Sequence, residues 1–334
     1  MKDLFNALLI TEQEGKFIKE ITQVHKDHLP DDDLLIRVSY SCINFKDALS
    51  TSGNKGVTKK FPHVPGIDAS GIVVKSKVPN FAEGTKVLVT GFDLGMNTWG
   101  GFGEYISIPA TWAISLPENL SLKEAMSFGT AGFTAGLSVN QLITAGIMPQ
   151  NGQIAVSGAT GGVGSISTAI LAKLGFEVVA ISGKQEEQFL LETLCAKGSI
   201  SRNEFTKTYN SKPLATADFA AGVDTVGGDI LSAMLKATKY GGMVTCCGMV
   251  ASIDLNTSII PFILRGVHLV GIDSVQANIN LRKKIWRQLA TEWKPENLDA
   301  LVQEIKLADL PEKIDTVLQG KSKGRYVLSH ECSV

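Results

Sequence analysis

The sequence predicts an α/β protein of two parts: a mostly-β domain assembled from both ends of the chain, and a doubly wound parallel sheet inserted between them. Three observations predict it. Short β-type runs separated by turn residues fill the N-terminal third, β-like and helical runs alternate regularly from Gln153 onward, and the C-terminal stretch is too small to fold alone. At 334 residues, with 44% hydrophobic and 19% charged positions, the chain can bury two cores.

In the first part, Leu34 to Val38, Gly71 to Val74, Lys86 to Val89 and Glu104 to Ile108 read as strands, punctuated by Pro62, Pro65, Pro79, Pro109 and Pro117. Ser121, followed three residues later by Glu124, reads as a capping pair that starts a helix into the second part. Strands are then expected at Ile154 to Ser157, Glu177 to Ile181, Gly222 to Val226, Met243 to Cys247 and Val267 to Ile272. Helices are expected between them at Gly164 to Leu174, Glu186 to Cys195 and Ile230 to Thr238. The tail offers helices from Asn280 to Trp293 and from Leu298 to Glu304, then a β-like run at Arg325 to Leu328. Residues 1–125 and 275–334 are thus assigned to the mostly-β domain and 126–274 to the parallel-sheet domain.

The formal net charge of -1 gives no global field for attracting nucleic acid or an anionic membrane. The most apolar long stretch, Ile154 to Phe176, is broken by five glycines or lysines at Gly158, Gly161, Gly162, Gly164 and Lys173, unlike a bilayer span. The N-terminus lacks the pattern of a secretory leader, so a cytoplasmic protein is expected. Five cysteines with no C-x-x-C pair fit a reducing compartment, and Cys332 reads as a tail residue.

The strongest local signal is Ile154-Ala-Val-Ser-Gly-Ala-Thr-Gly-Gly-Val-Gly164, a strand feeding a glycine turn that opens a helix. Ala159, Gly161 and Gly164 occupy the three glycine places of the dinucleotide fingerprint, a Rossmann signature. Missing side chains let the backbone approach a pyrophosphate, whose charge meets the free N–H groups of the helix start. About twenty residues on, where a carboxylate would hold a free ribose 2′-hydroxyl, the chain has Ser182-Gly183-Lys184, with Arg202 after the next strand. Hydroxyl, ammonium and guanidinium favour a 2′-phosphate, so NADPH is the expected cofactor.

Several segments together resemble the zinc-independent quinone oxidoreductase branch of the medium-chain dehydrogenase/reductase superfamily, in the YhdH/YhfP group that includes acryloyl-CoA reductases. They are Asn44-Phe-Lys-Asp-Ala-Leu49, Pro65-Gly-Ile-Asp-Ala-Ser-Gly71, Gly129-Thr-Ala-Gly-Phe-Thr-Ala135, the glycine turn itself, Tyr240-Gly-Gly242, Pro261-Phe-Ile-Leu-Arg-Gly266 and Gly271-Ile-Asp-Ser274. The resemblance implies a GroES-like catalytic domain beside the Rossmann domain. It implies cofactor contacts at Phe45, Thr130, Thr134, Thr160, Gly161, Gly162, Val163, Ser182, Gly183, Lys184, Arg202, Met249, Ile263 and Ser274. It also makes Val267 to Ile272 the last, edge strand of the parallel sheet, from which a homodimer is expected. The group usually has Tyr at Phe45 and often Arg at Lys184.

Zinc-dependent members of the superfamily place Cys and Gly-His-Glu where this chain has Asn44 and Gly66-Ile67-Asp68, so a metal-free site is expected. Without a Lewis acid, a conjugated acceptor suits hydride addition better than a simple alcohol or aldehyde. The expected reaction is reduction of an activated C=C bond in acryloyl-CoA or a related short 2-enoyl thioester. A quinone is the alternative small-molecule substrate, and a noncatalytic NADPH-binding sensor is the alternative of another class. Asn44 is the candidate donor to the substrate carbonyl, and Asp47 is the candidate group for orienting Lys46 or handling a proton through water. Their structural alternatives are a turn cap for Asn44, a local ion pair for Lys46 and Asp47, and loop N–H binding for Asp68.

Overall fold

The computed structural model describes residues 3–330; Cys332 lies outside the described residues. The chain divides into two compact units. One takes in Met1–Thr130, Val275–Ala290 and Leu298–Val334, and the other takes in Ala131–Ser274 and Thr291–Asn297.

The first unit opens with a hairpin absent from the sequence reading, β1 (Leu4–Gln13) paired antiparallel with β2 (Lys16–His25). Its two-residue turn has Glu14 and Gly15 at φ 49 and 76, the pair of positive angles that matches the twist of the flanking strands. Then follow β3 (Leu34–Cys42), α1 (Phe45–Thr51), β4 (Asp68–Ser76), β5 (Lys86–Thr90), β6 (Tyr105–Ile108) and β7 (Ile114–Ser115). Phe5, Leu8, Ile10 and Phe102 pack one core, and Leu34, Ile36, Val38, Val87 and Val89 pack another, as the alternation along these strands requires.

Ser121 and Glu124 form the expected capping box: the Glu124 amide donates to Ser121 Oγ at 3.1 Å, and the Ser121 amide to Glu124 Oε2 at 2.8 Å. They start α2 (Leu122–Thr144), which is broken at Gly129, where φ 53 and ψ -156 leave the helical region. The sequence reading had no break there.

The second unit follows the expected rhythm: β8 (Gln153–Ser157), α3 (Gly162–Lys173), β9 (Val178–Ser182), β10 (Gly198–Ser201), α4 (Arg202–Tyr209), β11 (Phe219–Asp224), α5 (Gly228–Ala237), β12 (Thr238–Cys246), α6 (Ile260–Arg265) and β13 (His268–Gly271). Its six strands lie in the order β10-β9-β8-β11-β12-β13, all parallel. That is a Rossmann sheet, with the strand order reversing between β8 and β11 and β13 at one edge. Phe205, Phe219, Met234 and Val244 fill the core on one face. The helix expected over Glu186 to Cys195 is replaced by a shorter piece with a π turn at Phe189–Thr193, closed by the Leu194 amide on the Phe189 carbonyl at 3.0 Å.

The chain then returns to the first unit through α7 (Ile279–Ala290), β14 (Val302–Ile305), α8 (Leu310–Leu318) and β15 (Arg325–Ser329). The helix expected from Leu298 to Glu304 is a single 3₁₀ turn, Leu298–Leu301, followed by β14. Parallel pairing with β15 decides this, because it satisfies the backbone of a segment too short for a stable helix and buries Ile305. The first unit's sheet runs β14-β15-β3-β4-β5-β7, with β6 also on β3. Among the described residues no helix is long and apolar enough to cross a membrane.

Candidate functional site

In the second unit the fingerprint lies at the carboxyl ends of β8 and β11, where strand order reverses. Gly158 sits at φ 59, and a Cβ there would lie 2.4 Å from Thr225 Oγ1. Gly161 is the residue before α3, and Gly164 lies so close to the preceding turn that a Cβ would fall 2.3 Å from the Gly158 carbonyl oxygen. Close approach brings the helix start onto the strand end, where the first-turn amides of Gly162, Val163 and Gly164 have no carbonyl four residues back within the helix. The partly exposed Gly162 and Val163 form a cradle for a pyrophosphate, while Gly164 and Thr160 are buried.

One residue of the turn's support was missed in the sequence. Asp224, buried at the end of β11, accepts from Ser157 Oγ at 2.6 Å, from the Gly227 amide at 2.8 Å and from the Val226 amide at 3.3 Å. Burial raises its pKa and those donors oppose the rise. A lone Asp at the end of an apolar run was the only available signal.

The cationic end is assembled from neighbouring strands. Ser182 ends β9 and its hydroxyl accepts the Lys184 amide at 2.9 Å, turning the chain after the strand. Arg202 starts α4 directly after β10, and its guanidinium covers Gly183, where a Cβ would meet Nη2 at 3.0 Å. The half-buried Lys184 ammonium has its pKa lowered by burial, with Glu186 opposing and the charge of Arg202 adding to the fall. Two cations thus converge there, and a cavity of about 350 Å³ opens beside Arg202, lined also by Asn203, Thr206, Gly228, Ser252 and Asn256 among others. The residues present fit a dinucleotide bearing a 2′-phosphate. Of the other expected contacts, Met249 and Ile263 are exposed, Ser274 is partly exposed, and Thr134 is buried.

In the first unit, β3 carries Cys42 and leads through Asn44 into α1, whose outward face bears Phe45 at 36% exposure. Asp47 is wholly buried. Its Oδ2 accepts the Asn44 amide at 2.7 Å, and its Oδ1 accepts the amides of Ile67 at 2.9 Å and Gly66 at 3.1 Å. Both oxygens are therefore spent on the backbone, and the carboxylate ties α1 to the 66–68 loop. Burial, with the nearby charge of Asp68, pushes its pKa up to about 7 against the pull of those donors. The loop N–H binding anticipated for Asp68 is performed by Asp47.

Asp68 serves a different purpose. Its Oδ2 accepts Asn44 Nδ2 at 2.8 Å, the Cys42 thiol at 3.1 Å and the Thr130 amide at 2.7 Å, and its Oδ1 accepts the Thr130 hydroxyl at 2.5 Å. The break at Gly129 frees the Thr130 amide, and Asp68 caps the resumed helix with a charge favourable to its dipole. Only glycine fits at 129: besides its positive φ, a Cβ would lie 2.5 Å from Cys42 Sγ, 2.7 Å from Asp68 Oδ2 and 2.9 Å from Arg325 Nη2. Burial and the charge of Asp68 push the Cys42 thiol well above its ordinary range, so it acts as a neutral donor.

Arg325, at the start of β15, completes the cluster and was read in the sequence only as the beginning of a strand. It is 3% exposed, and it donates from Nη2 to Cys42 Sγ at 2.9 Å and from Nη1 to the Ile43 carbonyl at 3.2 Å and Asn44 Oδ1 at 3.3 Å. An Arg opening an otherwise apolar terminal strand was the signal.

Comparison with known proteins identifies the family. Residues 30–118 match the alcohol dehydrogenase GroES-like domain and residues 162–292 the zinc-binding dehydrogenase domain. The chain belongs to the medium-chain dehydrogenase/reductase superfamily and is an oxidoreductase. YhfP of Bacillus subtilis, whose name marks it provisionally as a quinone oxidoreductase, is 40% identical over 331 residues, covering 98% of this chain and 99% of the relative; its structure has NAD bound and matches with a TM-score of 0.94. The acrylyl-CoA reductase AcuI of Ruegeria pomeroyi is 39% identical over 327 residues, covering 97% and 99%. The yhdH oxidoreductase of Salmonella enterica in complex with NADP is 38% identical with a TM-score of 0.94, covering 98% of this chain and 100% of that one. Within the superfamily, this chain is a member of the quinone oxidoreductase-like group formed by these relatives.

Proposed function

We propose that the protein is an NADPH-dependent reductase of an activated C=C bond, acting on acryloyl-CoA or a similar short 2-enoyl thioester. Full-length likeness to acrylyl-CoA reductases, at 39% identity across 97% of the chain, carries the reading. The convergent Lys184 and Arg202, with no carboxylate at the place of the ribose contact, support NADPH over NADH. When bound, the reduced nicotinamide supplies a hydride to the carbon β to the thioester carbonyl.

Asn44 is the proposed catalytic donor. Its carboxamide meets the thioester oxygen as negative charge develops there, the moment at which a fixed donor contributes most. Asp47 is reassigned from proton handling to anchoring Asn44 and the 66–68 loop, because its oxygens already hold backbone amides. Phe45, Thr130, Thr134, Met249, Ile263 and Ser274 remain proposed cofactor neighbours on the strength of the family likeness.

Quinone reduction is the second reading, favoured by the name of YhfP. The deciding experiment follows NADPH absorbance with acryloyl-CoA and with benzoquinone in the presence of a chelator. A higher kcat/KM for acryloyl-CoA supports the proposal, and a large advantage for the quinone replaces it.

We also infer a cytoplasmic homodimer joined at β13. This edge strand follows α6, on which Ile263 and Leu264 are exposed, and an unpaired edge beside apolar side chains needs cover. Light scattering at micromolar concentration should give twice the 35.7 kDa chain mass; the mass of a single chain overturns the dimer.

A further inference from the structure

The Asn44 carboxamide lies between a buried cation and a buried anion. Arg325 Nη1 faces its oxygen at 3.3 Å, and Asp68 Oδ2 faces its nitrogen at 2.8 Å. Exchanging oxygen and nitrogen would set NH₂ against guanidinium and carbonyl against carboxylate, so one orientation is enforced. The first amide hydrogen belongs to Asp68. Among the described residues the second has only long approaches, to the Cys42 carbonyl and Asp47 Oδ2 at 3.4 Å and to Cys42 Sγ at 4.0 Å.

Strand pairing does not require a charge at position 325. Val327, Leu328 and Ser329 hold β15 to β3, and the side chain of Arg325 is buried with its Nε lacking any hydrogen-bond partner. Burying a guanidinium with an unsatisfied donor opposes stability. The offsetting gain lies at Asn44: a cation on the carbonyl oxygen draws electron density from the nitrogen and makes the weakly held N–H a stronger donor.

We propose that Arg325 is a positioning residue that acts through Asn44, fixing the direction of its carboxamide and strengthening the N–H it offers to the developing oxyanion. This rests on the reading of Asn44 as the substrate donor.

The test is a double-mutant cycle with saturating NADPH and acryloyl-CoA as substrate, on wild type, Arg325→Lys, Asn44→Ala and the double variant. Lysine keeps the charge, but a single ammonium cannot span Oδ1, the Ile43 carbonyl and Sγ together. Arg325→Lys should lower kcat about tenfold or more with KM changed less than about twofold, and should cost nothing further once Asn44 is Ala. Losses that multiply in the double variant make Arg325 merely structural and overturn the proposal while leaving Asn44 as donor. An Asn44→Ala enzyme with wild-type kcat removes the donor reading itself. If Arg325→Lys loses its cooperative melt, selective ¹⁵N-asparagine labelling of the wild-type protein decides. The Asn44 side-chain resonances, assigned by their absence in Asn44→Ala, should stay distinct and exchange slowly with solvent; a rapidly flipping, fast-exchanging amide overturns the proposal.

Discussion

Replacing Lys184 by Ala should weaken NADPH far more than NADH. In the folded protein the ammonium is half-buried and its pKa is depressed by burial and by Arg202, so a 2′-phosphate arriving there relieves a repulsion as well as forming a new pair. A hydrogen bond between charged groups in such a setting contributes about 1.5–3 kcal/mol, which is roughly a tenfold to 150-fold rise in the NADPH dissociation constant. Arg202 is exposed, so solvent screens it, and about 1 kcal/mol, or roughly fivefold, is expected from Arg202→Ala. The NADH constant should move by less than about twofold in each variant, since a free 2′-hydroxyl gives neither charge a partner. Fluorescence titration of both reduced cofactors with the wild type and each variant gives the ratio directly. Raising the salt from about 0.1 M to about 1 M shortens the screening length from roughly 10 Å to roughly 3 Å and should shrink the wild-type preference. Equal affinity of the wild type for the two cofactors, or a ratio unchanged by both substitutions, refutes the reasoning. The NAD found in the YhfP structure makes the comparison a discriminating one.

Gly129→Ala should abolish the cooperative melt of the first unit or lower its stability by more than about 3 kcal/mol, because a methyl group would enter the space shared by Cys42, Asp68 and Arg325 at a positive φ; a thermal midpoint near wild type contradicts this. Gly164→Ala should reduce NADPH affinity by pushing α3 from the Gly158 carbonyl, and titration shows it; unchanged affinity removes the close-approach argument. Asp47 has its pKa raised in the folded state, so its favourable contribution is complete below about pH 4 and is lost as pH rises through about 7. Wild type should therefore lose a few kcal/mol relative to Asp47→Asn between those limits. Urea unfolding of both proteins at about pH 4.5 and about pH 8 measures the gap, and a gap independent of pH rules the shift out.

Local sequence was enough for the strand rhythm and the glycine turn of the Rossmann unit, though not for the 186–195 segment or Asp224, because the turn and the elements around it are written in consecutive residues. The glycine turn of 158–164, the strand before it and the helix after it are contiguous, and Ser182 and Lys184 follow at the end of the next strand. Ser121 and Glu124 likewise announced the start of α2. The 4–25 hairpin was missed although Glu14-Gly15 marks its turn. The 298–305 segment was misread because its pairing with β15 lies more than twenty residues away in sequence.

The sequence by itself therefore determined the fold class and the superfamily. Only the tertiary structure decided how the first unit's polar residues are used. Cys42, Asn44, Asp68, Gly129, Thr130 and Arg325 come from β3, the residue before α1, β4, the break in α2 and β15, and no periodicity links position 44 to position 325. Their partnership depends on which donors remain unsatisfied once the strands are paired. Burial then gives each surviving contact its weight, because in a site closed to water every hydrogen bond must be met by another residue of the chain.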